Sequence, residues 1–125
     1  MSMDQCNYSV TFEDYTKNHY IKFFKKKYPG RAWEITQEAI KDMCERIDNL
    51  RSRDILDKIC FVDDETIYKL DFTVSGTHVS AKNSGNRCIV AVNEDTRSVR
   101  ILLVYHKTHI VGSNETTWWK KQIGI

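Results

Sequence analysis

Tyr8-Ser-Val-Thr-Phe12 alternates apolar and polar side chains and is rich in β-formers, which predicts a short opening strand. The period then lengthens. Tyr20, Phe24 and Tyr28 recur at i, i+4 and i+8, Ile21 and Phe23 widen the stripe, and most nearby lysines fall off it, so residues 13–28 predict a helix. Pro29-Gly30 stops it, at a turn where a missing N–H does no harm. Ala32, Ile35, Ala39, Met43, Ile47 and Leu50, with Ile40 and Cys44 beside them, predict a second helix over residues 31–50. Two adjacent amphipathic helices make an α-hairpin, and each needs a surface to cover its apolar stripe.

The strands that follow supply that surface. Residues 51–57 read as a connection, residues 58–62 as a strand and Asp63-Asp64-Glu65 as an acidic turn. Residues 66–74 alternate most clearly: Tyr68, Leu70, Phe72 and Val74 point one way, Lys69, Asp71 and Thr73 the other. Turns are expected at Ser75-Gly76-Thr77 and Ser84-Gly85-Asn86, with loop or ragged strand between them. Residues 87–92 and 98–105 are continuous apolar runs joined by the polar turn 93–97. They predict a hairpin of central strands with both faces at least partly covered. Ser113 or Asn114 caps a last short helix, residues 115–122, which carries Trp118 and Trp119. Helices grouped early and strands late predict one α+β domain over residues 1–125: a helical hairpin on one face of an antiparallel-rich sheet. The other face is left exposed, or partly covered by loops and the tail.

Composition agrees with a globular chain, at 41% apolar and 29% charged residues over 125 positions. No apolar run approaches the roughly 20 residues that span a bilayer. The N-terminus lacks the basic-then-apolar layout of a secretion signal, so a soluble, cytoplasmic protein is expected. The cysteines (Cys6, Cys44, Cys60 and Cys88) include no CxxC pair; Cys60 and Cys88 lie in apolar runs and Cys44 beside the apolar face of a helix, which predicts small reduced core residues rather than a metal site, while Cys6 is given no role. The net charge of +2 conceals a gradient: +1 over residues 1–40, −3 over 41–66 and +4 over 67–125. Lys22, Lys25, Lys26, Lys27 and Arg31 form a second basic cluster. Two basic areas on one small domain point to a polyanion or an acidic protein partner.

Gly85-Asn-Arg-Cys-Ile-Val-Ala-Val-Asn-Glu-Asp95 followed by Val99-Arg-Ile-Leu-Leu-Val-Tyr-His-Lys107, within this order of elements, resembles the RelE/ParE superfamily of toxins. Arg87 matches its strand-opening arginine, Asn93-Glu94-Asp95 its acidic turn and His106-Lys107 its terminal pair, although lysine stands where arginine is common. The resemblance implies a RelE-like fold, an antitoxin partner, no cofactor and no metal. It also implies one of two actions. Many members cut mRNA at the ribosome, whereas ParE-like members inhibit DNA gyrase without cutting RNA. Histidines in the terminal stretch favour the endoribonuclease.

Metal-free RNA cleavage needs a base for the 2′-hydroxyl, cations for the phosphorane and an acid for the leaving oxygen. His106 and His109 suit the proton steps. Arg87, which opens the strand beside the one that His106 ends, suits the scissile phosphate. Lys82 is a further candidate, as a base or as added positive potential. Lys69, Lys107, Lys25, Lys26, Arg31 and Trp119 are the expected RNA contacts, Trp119 by stacking on a base. All of this assumes that the hairpin's register places Arg87 and the histidines on one cationic surface.

Overall fold

The computed structural model of the chain describes residues 7–125, apart from the side chains of Lys17 and Asn18, so the reading of Cys6 lies outside the described residues. The expected hairpin sits in the middle of a five-stranded sheet. β4 (Asn86–Asn93) and β5 (Ser98–His106) run antiparallel, β3 (Glu65–Phe72) pairs with β4, and β2 (Leu56–Val62) pairs with β3, both antiparallel. β1 (Ser9–Phe12) lies parallel to β5, giving the order β1-β5-β4-β3-β2. β4 and β5 are buried almost throughout, as two-sided strands must be, so their runs of Val, Ile and Leu do not alternate.

The region read as one helix is broken. α1 (Asp14–Asn18) and α2 (Ile21–Lys27) are separated by Tyr20, whose φ of 65° no helix accommodates. The break follows from the sheet. β1 pairs with β5 only as far as Ile101, and α1 continues along β5 from there: the Glu13 amide and the Thr16 hydroxyl both donate to the Ile101 carbonyl. α1 sends Tyr15 to one face of the sheet while α2 buries Ile21 and Phe24 against the other, so the chain turns at Tyr20, which touches both cores.

α3 (Ala32–Glu45) continues into a 3-10 turn, Ile47–Leu50. Its buried stripe is Trp33, Thr36, Ile40, Cys44, rotated by about one position from the stripe expected, and Ile35 and Ala39 face solvent. Trp33 sets that rotation. Its ring stacks on Phe24 at 4.7 Å and meets Phe72 at 6.3 Å, and burying the largest side chain outweighs burying Ile35. Each such burial contributes about 1.5–3 kcal/mol.

The second face of the sheet is not open. α5 (Glu115–Ile123) lies on it, bringing Trp118 and Trp119 against Ile67, Ile89, Ala91, Leu103 and Tyr105 in a second core. Asn114 is the cap: its side chain accepts from the Thr117 amide at 2.9 Å. Residues 77–83 are largely loop, closed by a single turn, α4 (Ala81–Ser84), capped by Ser80 and ended by Gly85. No helix among the described residues is long and apolar enough to cross a membrane.

Candidate functional site

Register decides which candidates meet. Arg87 lies opposite Tyr105, and Asn86 opposite His106. Directly paired residues share a face and successive residues alternate, so Arg87 and His106 project from opposite faces. The arginine–histidine pairing expected from the hairpin is therefore corrected: the two are adjacent in the ladder and divided by the sheet.

On the α5 face, Arg87 is neutralised. Its Nη1 donates to Glu115 Oε1 at 3.0 Å and its Nε lies 3.7 Å from Asp71 Oδ1, an ion pair too long for a hydrogen bond. Glu115 also accepts from the Tyr105 hydroxyl. Lys69, on the same face, lies 3.8 Å from Asp57. Lys69 and Arg87 thus face three carboxylates, Asp57, Asp71 and Glu115. Burial raises the Asp71 pKa, and the nearby Lys69 and Arg87 only partly oppose this. The expected cationic sheet surface is instead a mixed-charge seam under α5. Trp119 is fully buried in the second core, with no ring face left for a base, which corrects its assignment as an RNA contact.

The histidines sit on the other face, where β5 runs into a 3-10 turn, Lys107–His109. The two imidazoles cap that turn reciprocally. His106 Nδ1 accepts from the Thr108 amide at 3.1 Å, and His109 Nδ1 accepts from the His106 amide at 3.0 Å. A backbone N–H only donates, so each Nδ1 must be unprotonated and each ring carries its proton on Nε2. His106 Nε2–H donates to the Ser84 carbonyl at 3.1 Å. His109 Nε2 has no hydrogen bond among the described residues, and its ring stacks on Tyr20 at 4.2 Å with Phe23 edge-on at 4.5 Å. Burial lowers both histidine pKa values, and Lys27 lowers both further. Protonating either ring on Nδ1 would abolish a cap. The caps and the lowered pKa values both favour neutral rings, and of these two histidines His109 is the one whose Nε2–H has no hydrogen bond among the described residues.

Gly85 makes room for this corner. It has φ +79°, and a Cβ there would lie 2.9 Å from His106 Nε2 and 3.0 Å from Lys107 Cγ. The Lys107 amide donates to the Gly85 carbonyl at 2.8 Å. Lys107 is exposed, as are Lys25, Lys26 and Lys27 in the last turn of α2, and none of the four forms an ion pair among the described residues. Lys27 stands over the Phe23 and Tyr28 rings. Of the other expected contacts, Lys82 lies 3.5 Å from Asp54 and Arg31 lies 3.8 Å from Glu34, both at exposed positions. The sequence reading missed Tyr20 and Phe23 as the clamp on His109, and Asp71 and Glu115 as partners of Arg87. Glu115, one residue after the cap, was the visible signal for the last of these.

The architecture is that of a small α+β domain: a helical hairpin on one side of a mostly antiparallel sheet, with a C-terminal helix on the other. No family model matches the sequence, and no curated protein matches it. Among solved structures, the crystal structure of the archaeal RelE–RelB complex from Pyrococcus horikoshii OT3 superposes with a TM-score of 0.51 over 81% of this chain and 96% of that one, at 13% identity. The chain has a RelE-like fold.

Proposed function

We propose that the protein is the toxin of a toxin–antitoxin pair and that its target is RNA, cut without metal while the ribosome holds the message. The observation that carries this reading is the RelE-like fold combined with a corner of unpaired cations, Lys27 and Lys107 beside His106 and His109, with Lys25 and Lys26 adjoining. Lysines of this kind bind a phosphodiester and stabilise charge that develops on it. With both imidazoles engaged as caps, His109 Nε2–H is a hydrogen-bond donor to a phosphate oxygen rather than a ready general acid. The chemistry therefore leans on charge and orientation, which a ribosome is suited to supply. The partner is an antitoxin that covers this corner.

A second reading, a non-catalytic ParE-like toxin that binds DNA gyrase or another protein, is favoured by the neutralisation of Arg87 and the capping role of both histidines. Induced expression followed by mapping of 5′ ends on translated messages separates the two. RNA cutting predicts growth arrest with new 5′ ends, both lost in a Lys27→Ala/Lys107→Ala variant. Arrest without new ends supports the second reading, and no arrest removes both.

A further inference from the structure

β2 is one of the two edge strands of the sheet, the other being the four-residue β1, and it is poorly guarded over half its length. Protected edges carry bulges, charges or proline to block further pairing. Here the bulge at Ile59 and the charged Asp57 and Lys58 guard only the first half. The second half, Cys60-Phe61-Val62, carries no charge, and Phe61 is 66% exposed, the most exposed aromatic residue among those described. Beside it lies a shallow cleft of about 220 Å³ lined by Phe61, Thr66, Val92, Asp64, Glu94 and Asp95. Glu94 has Arg51 at 3.5 Å, whereas Asp64 and Asp95 form no ion pair among the described residues. Thr66 pairs with Val92 and Val92 with Val99, so the cleft is at the opposite end of the strands from His106.

We propose that this edge takes up an extended peptide segment of a protein partner as a sixth strand, with an apolar side chain on Phe61 and a lysine or arginine between Asp64 and Asp95. The unpaired main chain of β2 supplies the ladder. Phe61 supplies apolar area, and the two free carboxylates select a cation. The partner segment is therefore basic and apolar. It is distinct from whatever covers the cationic corner, and the inference does not rest on the RNA reading. A second copy of this chain fits less well. Symmetric antiparallel pairing centred between Cys60 and Phe61 sets Asp64 against Asp57 and Lys58 against Asp63, so repulsion offsets attraction and no cation is left for Asp95.

The test is a titration of the ¹⁵N-labelled full chain with a blocked octapeptide of alternating lysine and valine, read by amide shifts. Controls are the glutamate–valine counterpart and a lysine–valine peptide N-methylated at alternate residues. Binding is expected to shift residues 57–64 and 92–95, and to weaken at least about tenfold with either control. It is expected to weaken equally for Phe61→Lys and for Asp64→Asn/Asp95→Asn, all surface changes that leave the amide spectrum elsewhere intact. The proposal is overturned by equal binding of the N-methylated peptide, which means ionic contact without a ladder. It is also overturned by equal binding of the glutamate peptide, by shifts outside the edge, by no binding, or by dimerisation through β2 that excludes the peptide.

Discussion

A histidine is useful to a fold when it is neutral and useful to RNA cleavage when it moves a proton, and the caps at the end of β5 separate these roles. His106 Nδ1 accepts from a backbone amide, an interaction that an asparagine Oδ1 reproduces. His106→Asn is expected to keep the turn, whereas His106→Ala loses a cap and about 1 kcal/mol of stability, read by urea unfolding. If growth arrest follows stability, surviving in the asparagine variant, His106 is a positioning residue. If both variants abolish arrest while folding normally, its imidazole takes part directly. Gly85 offers a sharper steric check on the same corner. A side chain at φ +79° is strained, and its Cβ would press on His106 and Lys107. Gly85→Ala should therefore cost about 1–3 kcal/mol and disturb the resonances of both neighbours.

At the scale of elements, the question is what holds a short turn and a nine-residue helix in place. The 3-10 turn depends on neutral imidazoles, and the sign of its pH dependence follows. Both histidines have folded pKa values below the unfolded value of about 6.5, so the unfolded chain takes up more protons as pH falls through that value. Their contribution is complete above about pH 6.5 and declines below it. Urea midpoints measured from pH 7.5 to 5.5 should fall, and His106→Asn combined with His109→Gln should flatten the slope. α5 is held by the two core tryptophans and by Glu115, which joins Arg87 and Tyr105. Glu115→Ala should cost about 1.5–3 kcal/mol, the range for hydrogen bonds to charged groups, with loss of amide protection concentrated in α5. It also leaves Arg87 with Asp71 as its remaining carboxylate. If freeing that guanidinium increases RNA binding, the α5 face contributes to the target surface.

Across the whole molecule, the sheet was legible in the sequence because burial is written in it: alternation along β3, continuous apolar runs in β4 and β5. The helix break at Tyr20 and the rotation of α3 were not, because both depend on partners distant in the chain, the uncovered edge of β5 and the Phe24–Trp33–Phe72 stack. The candidate site failed at a finer step. Arg87 and His106 were correctly placed side by side along the strands, but the face each occupies is fixed by a one-residue register that no local pattern encodes. Long-range polar closure shows the same dependence on tertiary structure. At the end of the sheet opposite the histidines, Asp48 accepts from Tyr8 at 3.1 Å, Arg51 at 2.9 Å and Arg97 at 3.4 Å, joining the residue before β1, the turn after α3 and the β4–β5 turn. Burial alone would raise the Asp48 pKa, but the hydrogen bonds from Arg51 and Tyr8 outweigh it and hold the carboxyl below its usual value. Its stabilising contribution is therefore present above the unfolded pKa of about 3.9 and is lost as pH falls through the folded value. Asp71 has the opposite sign: with its folded pKa raised, it opposes folding progressively as pH rises from about 3.9 through that value. Because Asp48 is also about two-fifths exposed, its net effect is modest, about 1 kcal/mol. Acid unfolding should thus show two separable components, one that sets in below the unfolded histidine value of about 6.5 and one that sets in below the unfolded carboxylate value of about 3.9. Asp48→Asn should diminish the lower component and leave the upper one unchanged, because the groups lie at opposite ends of the strands. If the asparagine variant altered the upper component, the two ends would be coupled through the sheet.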